Sequence, residues 1–199
     1  MSDAVVHLID DDEHVRRALA FLLGTAGFAV KVYESASAFL EKFEQGSNGC
    51  IVSDVRMPGI DGLQLLKKLK KIGARTPVII MTGHADVALA VEAMKAGAVD
   101  FIEKPFPDET LINAIRTALA MGDRTQSAGD AEQVRARLAT LSQREREVLD
   151  GLLAGHPNKT IAYDLGLSPR TVEVHRANVM TKMGASSLSE LVRMTLSAG

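Results

Sequence analysis

Apolar and polar positions keep two different rhythms along this chain, one before residue 121 and another after residue 131. In the first stretch, short β-branched runs alternate with segments whose apolar residues recur every three or four positions. VVHLI (5–9), FAVKVY (28–33), CIVSDV (50–55), PVIIM (77–81) and VDFIE (99–103) predict strands. Several are apolar almost throughout, the pattern of a parallel sheet covered on both faces. The intervening periodicity predicts helices over 13–25, 36–45, 61–72, 86–96 and 108–120, with Gly27, Gly73 and Gly97 just past three of their ends, where a left-handed residue closes a helix. Five such strand–helix units predict a doubly wound α/β domain built on a five-stranded parallel sheet, with its site at the carboxyl ends of the strands.

After Met121 the pattern changes. GDRTQSAGD (122–130) has no apolar periodicity and reads as a linker, shortened and stiffened by a helix beginning near Ala131. The remainder is helical throughout, a small all-α four-helix domain. LSQREREVLDGLLAG opens with Ser142 and Glu145 in the spacing of a capping box. NKTIAYDLG follows, then SPRTVEVHRANVMTKMG with Ser168 as cap and Pro169 in the first turn, and SLSELVRMTL closes the chain. The predicted boundaries are 1–121, a partly helical linker at 122–137, and 138–199.

Composition narrows the classes. A hydrophobic share of 46% with 24% charged residues is that of an ordinary globular protein. No apolar run is long enough to span a bilayer and MSDAVVHLID lacks a basic leader, so a cytoplasmic location without membrane partners is expected. The single cysteine, Cys50, falls inside an apolar run and is expected to be buried and inert. Net charge is −3 over residues 1–121 and +2 over 131–199, a split that permits nucleic-acid binding by the second half without arguing for it.

The chemistry lies at the predicted strand ends. Asp10 and Asp11 follow the first apolar run, Asp54 the third, and Lys104-Pro105 the fifth. If these strands are parallel neighbours, three acids and a lysine converge at one sheet edge. Hard carboxylate oxygens suit Mg²⁺, the lysine offsets phosphoryl charge, and the Thr82 hydroxyl can donate to a phosphoryl oxygen. A carboxylate becomes a workable nucleophile toward phosphorus when a cation shields the repulsion. Taken singly, strand-end acids are more often turn formers or caps; their joint order on successive strands is what carries the reading.

IDDDEHVRR, SDVRMPGIDG, MTGHAD and FIEKPF, in this order and spacing, resemble the receiver domains of bacterial two-component response regulators, over residues 4–121. The resemblance implies a flavodoxin-like fold and makes Asp54 the phosphoacceptor, charged by a sensor histidine kinase. It implies that Asp10, Asp11, Asp54 and the Arg56 backbone carbonyl hold Mg²⁺, that Thr82 and Lys104 bind phosphoryl oxygens, and that Phe101 is the aromatic switch. Lys104–Pro105 is a candidate cis peptide. Asp12 is expected to cap or face solvent, and Arg56 and His84 to influence the lifetime of the acyl phosphate. His7 is expected to be structural.

In the second half, a short helix, a turn at Gly166 and a helix capped by Ser168 give helix-turn-helix spacing. Val172, Val179 and Met183 share the predicted inner face, with His175 packed and hydrogen-bonded near them. The opposite face presents Arg170, Thr171, Glu173, Val174, Ala177 and Asn178 for base edges, with Lys159, Arg176 and Lys182 placed for phosphates. Residues 138–196 resemble the four-helix output domain of the LuxR/NarL type, and VEAMKAGAVDFIEKPF with SPRTVEVHRANVMTKM is similar to the FixJ group of transcriptional activators. The resemblance implies a phosphorylation-switched regulator that forms a homodimer when phosphorylated, binds a double-stranded operator and works with RNA polymerase, with Leu188, Leu191 and Val192 as candidate dimer contacts. The alternatives are a metal-dependent phosphohydrolase with an aspartyl nucleophile and an adaptor that does not bind DNA. Slow self-dephosphorylation is the only catalysis the first reading expects.

Overall fold

The computed structural model describes residues 4–44, 48–83, 87–121 and 128–198. They fall into two compact units: Met1–Ala85 with Ala96–Thr125, and Asp86–Lys95 with Gln126–Gly199.

The first unit is a five-stranded parallel sheet in the order β2-β1-β3-β4-β5. The strands are β1 (Val5–Ile9), β2 (Ala29–Tyr33), β3 (Gly49–Asp54), β4 (Val78–Thr82) and β5 (Asp100–Glu103). β3 and β4 are buried at every position, which is why their sequences are apolar without alternation. The edge strand β2 exposes three of its five residues and the other edge, β5, buries only Ile102. Val6, Leu8, Cys50, Val52, Ile79 and Met81 face the helices α1 (Glu13–Thr25) and α5 (Asp108–Met121) through Leu23, Leu111 and Ile115. Each such large side chain withdrawn from water stabilises by about 1.5–3 kcal/mol.

Two further helices belong to this unit. α3 (Gly62–Lys71) starts at a complete capping box, Asp61 with Gln64, and buries Leu63, Leu65, Leu66 and Leu69. α2 (Ala36–Leu40) is shorter than the predicted 36–45. The chain turns out of the helix at Glu41, and Phe43 folds back on Phe39 with ring centroids 5.2 Å apart. His7 is structural as expected: its Nδ1 lies 3.1 Å from the Tyr33 hydroxyl, and its ring packs on Tyr33 and Phe39. Burial, with the Lys31 charge, lowers its pKa.

The second unit joins α4 (Val87–Lys95) to the C-terminal helices α6 (Ala128–Ala139), α7 (Gln143–Leu153), α8 (Asn158–Leu165), α9 (Pro169–Met183) and α10 (Leu188–Ala198). Its core holds Val134, Val148, Leu149, Leu152, Ile161, Val172, Val179, Met183 and Leu191. α6 runs two residues past the predicted linker boundary and contributes Val134 and Leu138, so it is part of this core. α7 and α8 approach closely at Gly151, where an added Cβ would lie 2.8 Å from Ile161 Cγ1. α10 spends its apolar face within the unit: Leu191 and Val192 are fully buried and Leu188 is half-buried, so a dimer contact through them requires that packing to open. Among the described residues no helix is long and apolar enough to cross a membrane.

Candidate functional site

The strand order decides the site. β1 and β3 are neighbours whose following helices α1 and α3 begin at the same edge, and β5 returns beyond β4. Asp10 follows β1, Asp54 ends β3, Thr82 ends β4 and Lys104 follows β5. All four reach the carboxyl edge of the sheet, where an α/β fold of this kind forms its crevice.

Lys104 joins them. Its Nζ donates to Asp10 Oδ2 at 2.8 Å and to Asp54 Oδ1 at 2.7 Å. Asp10, Asp54 and Thr82 are buried, at 2%, 8% and 1% exposure. Burial works against the charged ammonium of Lys104, but the hydrogen bonds it donates to Asp10 and Asp54, with their charges, outweigh it and raise the lysine pKa. The Lys104–Pro105 bond is cis. The Lys104 backbone N–H donates to the Thr82 carbonyl at 2.6 Å, fixing the loop after β5 to the end of β4. Asp54 Oδ2 accepts from the Arg56 backbone N–H at 2.6 Å, and Asp10 Oδ1 accepts from the Asp12 N–H at 2.9 Å. Both carboxylates are therefore held by two donors each.

Asp11 does not join this cluster: it is exposed, and the described residues contain no group of three His, Cys, Asp or Glu side chains poised around a cation. Asp12 caps α1 by accepting from the His14 and Val15 N–H groups, and those bonds hold its carboxyl below the usual range. Phe101 is half-buried on β5 in register with Ile80. His84 lies outside the described residues. Two buried carboxylates that already gather around an ammonium are hard-oxygen donors of the type a divalent cation takes, so the residues present fit Mg²⁺.

Two residues in the pocket went unnoticed in the sequence. Arg16 reaches back from α1 so that its Nη1 donates to the Asp10 carbonyl at 2.7 Å. Gly62 brings the first turn of α3 against β3: an added Cβ would collide with the Asp54 carbonyl oxygen. The glycine in the motif IDG was its only signal. A surface pocket of about 300 Å³ lies at the other end of the sheet, lined by Leu66, Leu69, Pro77, Val78, Val99 and Met121, remote from this chemistry.

In the second unit, α8 and α9 form the helix-turn-helix. Gly166 closes α8 in the left-handed conformation at φ 64°, and the Ser168 hydroxyl accepts from the Thr171 N–H to start α9. Val172, Val179 and Met183 are fully buried, as the periodicity predicts. Arg170, Glu173, Val174, Ala177 and Asn178 are exposed on the other side, with Thr171 and Arg176 half-buried. The Thr171 hydroxyl lies 2.8 Å from that of Ser168, inside the cap. Lys159 is exposed on α8. Lys182 is engaged within the unit: its Nζ donates to Glu145 Oε2 at 2.7 Å and to the Thr140 carbonyl at 3.3 Å. The Lys182 hydrogen bond, followed by bonds to Ser142, holds the Glu145 carboxyl below the usual range. Arg137 of α6 donates to the Met183 carbonyl at 2.7 Å, satisfying the end of α9. His175 packs half-buried, but among the described residues its Nδ1 has no hydrogen-bond partner, against the expectation of a bonded ring.

Two families match the two halves. The response regulator receiver domain matches residues 6–116, and the luxR family of bacterial regulatory proteins matches residues 139–195. The transcriptional regulatory protein FixJ of Azorhizobium caulinodans is 60% identical over 98% of this chain and 92% of its own length. The chain belongs to the FixJ-type response regulators. FixJ of Rhizobium meliloti is 56% identical over 100% of the chain and 98% of its own length. The crystal structure of full-length FixJ from B. japonicum superposes with a TM-score of 0.60 at 52% identity, covering 100% of this chain and 98% of that one. As a member of this family the chain is a phosphorylation-dependent transcription regulator, with a receiver that implies a histidine kinase and an output domain that implies DNA. The phosphohydrolase alternative finds no support among these relatives.

Proposed function

We infer that Asp54 is the phosphoacceptor of a receiver spanning residues 1–121, joined through 122–137 to a DNA-binding domain at 138–199. The observation that carries this is the Lys104 ammonium bound at once to Asp54 and Asp10, a cation waiting where phosphoryl charge would arrive. An Asp54 carboxylate oxygen attacks the phosphorus of a phosphohistidine on the partner kinase. The P–O bond forms as the P–N bond breaks, and the imidazole leaves with the electron pair. Asp10, Asp11, Asp54 and the Arg56 carbonyl would hold Mg²⁺, which supplies charge neutralisation between the attacking carboxylate and the phosphoryl oxygens. Lys104 then turns from Asp54 to the new phosphoryl group, and the Thr82 hydroxyl donates to it from the end of β4. Phe101, half-buried beside β4, follows Thr82 as the switch. Hydrolysis of the acyl phosphate is slow, and the identities of Arg56 and His84 influence its lifetime.

Phosphorylation favours a homodimer, and the paired α9 helices read half-sites about one helical turn apart. Arg170, Glu173, Val174, Ala177 and Asn178 face the base edges, with Thr171 and Arg176 at their margin and Lys159 on phosphates. Lys182 serves by anchoring α9 through Glu145 as well as by its charge. The output is activation through RNA polymerase, in the cytoplasm.

The test is intact-mass measurement after treatment with acetyl phosphate, with and without Mg²⁺, on wild type and Asp54→Asn. One phosphoryl group on the wild type, needing Mg²⁺ and absent from the variant, is expected. Equal incorporation by Asp54→Asn, or none by the wild type, overturns the assignment.

A further inference from the structure

At the amino end of the sheet, away from the phosphoryl chemistry, the receiver unit has a second concave site. Its volume is about 300 Å³, the lower end of the size range of small-molecule pockets. The floor is apolar, made by Leu66 and Leu69 of α3, Val78 at the start of β4, Val99 just before β5 and Met121 at the end of α5. Backbone hydrogen bonds fix the walls. The Gly73 N–H donates to the Lys70 carbonyl and the Ala74 N–H to the Leu69 carbonyl, both at 3.0 Å, which ends α3 and brings Arg75 to the rim. The Val99 N–H donates to the Val78 carbonyl at 2.8 Å, joining two parts of the floor. Two cations stand at the rim, Lys70 and Arg75, both exposed. The Lys70 ammonium reaches from α3 across to Gly97, where an added Cβ would lie 3.8 Å from its Nζ. Neither side chain has a hydrogen-bond or ion-pair partner among the described residues. From Gly62 to Gly83 the chain carries five lysines and arginines and no acid, so nothing in this stretch neutralises the rim.

We propose that this pocket binds a small carboxylic acid with a compact apolar body, the body on the Leu66, Val78 and Val99 floor and the carboxylate between Lys70 and Arg75. A few polar groups around an apolar hollow are the usual makeup of a small-ligand site. The guanidinium fork matches the two oxygens of a carboxylate, and the lysine adds a point charge beside it. One apolar hollow with two cations at its mouth suits a single anionic group on a single apolar body, which favours a small molecule over an acidic peptide. The site is independent of the phosphoryl reading, since it shares no residue with the cluster around Asp54.

The experiment is NMR of the full chain with isotope-labelled methionine methyl groups, titrated with phenylbutyrate, with phenylbutanol and with acetate. Met121→Leu identifies the Met121 signal among the eight methionines. Phenylbutyrate is expected to shift the Met121 signal saturably and to leave that of Met183, in the core of the second unit, in place. Phenylbutanol, which lacks the charge, and acetate, which lacks the body, should both bind more weakly. Lys70→Met and Arg75→Gln should each weaken phenylbutyrate about 2- to 5-fold, the range for an ion pair open to solvent, without changing the affinity for phenylbutanol. Lys71→Gln, on α3 but outside the lining, should leave phenylbutyrate binding unchanged. An unmoved Met121 signal overturns the proposal, and so does equal affinity for the acid and the alcohol. A loss in Lys71→Gln as large as in Lys70→Met reduces the effect to surface charge and overturns it as well. If phenylbutyrate fails and a short Asp/Glu-rich peptide with one leucine shifts Met121 instead, the surface belongs to an acidic protein segment and the small-molecule site is refuted.

Discussion

Replacing Lys104 with methionine removes the cation that bridges Asp10 and Asp54 while keeping the length of the side chain. The lysine makes two charge-assisted hydrogen bonds, at 2.8 and 2.7 Å, to carboxylates whose side chains are only 2% and 11% exposed. A hydrogen bond to a charged group contributes about 1.5–3 kcal/mol, and breaking a buried pair from one side costs about 3–5 kcal/mol because a charge is left unpaired. Lys104 itself keeps 23% of its side-chain surface in water, so solvent can reach the vacated position. That argues for the low end, about 2–3 kcal/mol, or about a 30- to 150-fold change in an opening equilibrium. Hydrogen-exchange mass spectrometry on the full chain in chelator reads this locally. The β3 and β5 amides of Lys104→Met should exchange faster by that factor, with amides of α7 and α9 unchanged. Added Mg²⁺ should recover protection in the variant more than in wild type, since a divalent cation can neutralise the two acids that the lysine no longer serves. Exchange of β3 and β5 within about 3-fold of wild type in chelator would refute the claim that this ammonium holds the pocket together.

Gly62→Ala places a methyl group against the Asp54 carbonyl, so α3 must move off β3. Overpacking of this kind costs about 1–3 kcal/mol; phosphoryl incorporation from acetyl phosphate should slow, and wild-type kinetics would show that the first turn of α3 yields without moving Asp54. The tie between Glu145 and Lys182 should be visible as pH dependence. Glu145 is held below its ordinary value of 4.5, chiefly by Lys182, so its contribution is whole above that pH and is lost as pH falls through the depressed folded-state value. Protection of α7 and α9 amides should therefore decline on acidification below about pH 4.5 in wild type and lose that component in Glu145→Gln, whereas identical profiles would refute the tie.

What the sequence discloses of this molecule depends on whether a residue's role is set by its own element or by a distant one. β3 and β4 are legible because burial on both faces leaves no polar position, and the order of Asp10, Asp54, Thr82 and Lys104 on successive strands suffices to place four groups at one edge. Asp10 and Asp11 show the limit of adjacency: the Asp10 carboxylate is buried against Lys104 whereas its neighbour Asp11 is exposed, a difference that two consecutive acids after a strand do not record. Gly62 and Arg16 act through close approach of backbone from another element, which no local pattern records. Membership of α4 in the C-terminal unit is hidden for the same reason: its periodicity fits the α/β alternation, yet Lys95 Nζ donates to the Leu153 carbonyl at 2.8 Å.

The DNA-reading half separates these cases most sharply. Periodicity fixes which side of α9 is inward, and Val172, Val179 and Met183 obey it. The outward side has no such constraint, and there the same residue type can do different work. Lys159 and Lys182 are both lysines on exposed helix positions, and charge alone assigns both to phosphate. The structure divides them. Lys182 meets a buried carboxylate 37 residues away, Glu145, which also closes the capping box of α7, so its ammonium joins the start of one helix to the end of the reading helix. Lys159 instead stands exposed on α8. The C-terminal end of α9 is thus tied to two other helices, by Arg137 of α6 on the Met183 carbonyl and by Glu145 of α7 on Lys182. Under the proposed reading, base selection by Arg170 to Asn178 therefore depends on contacts made far from the bases themselves.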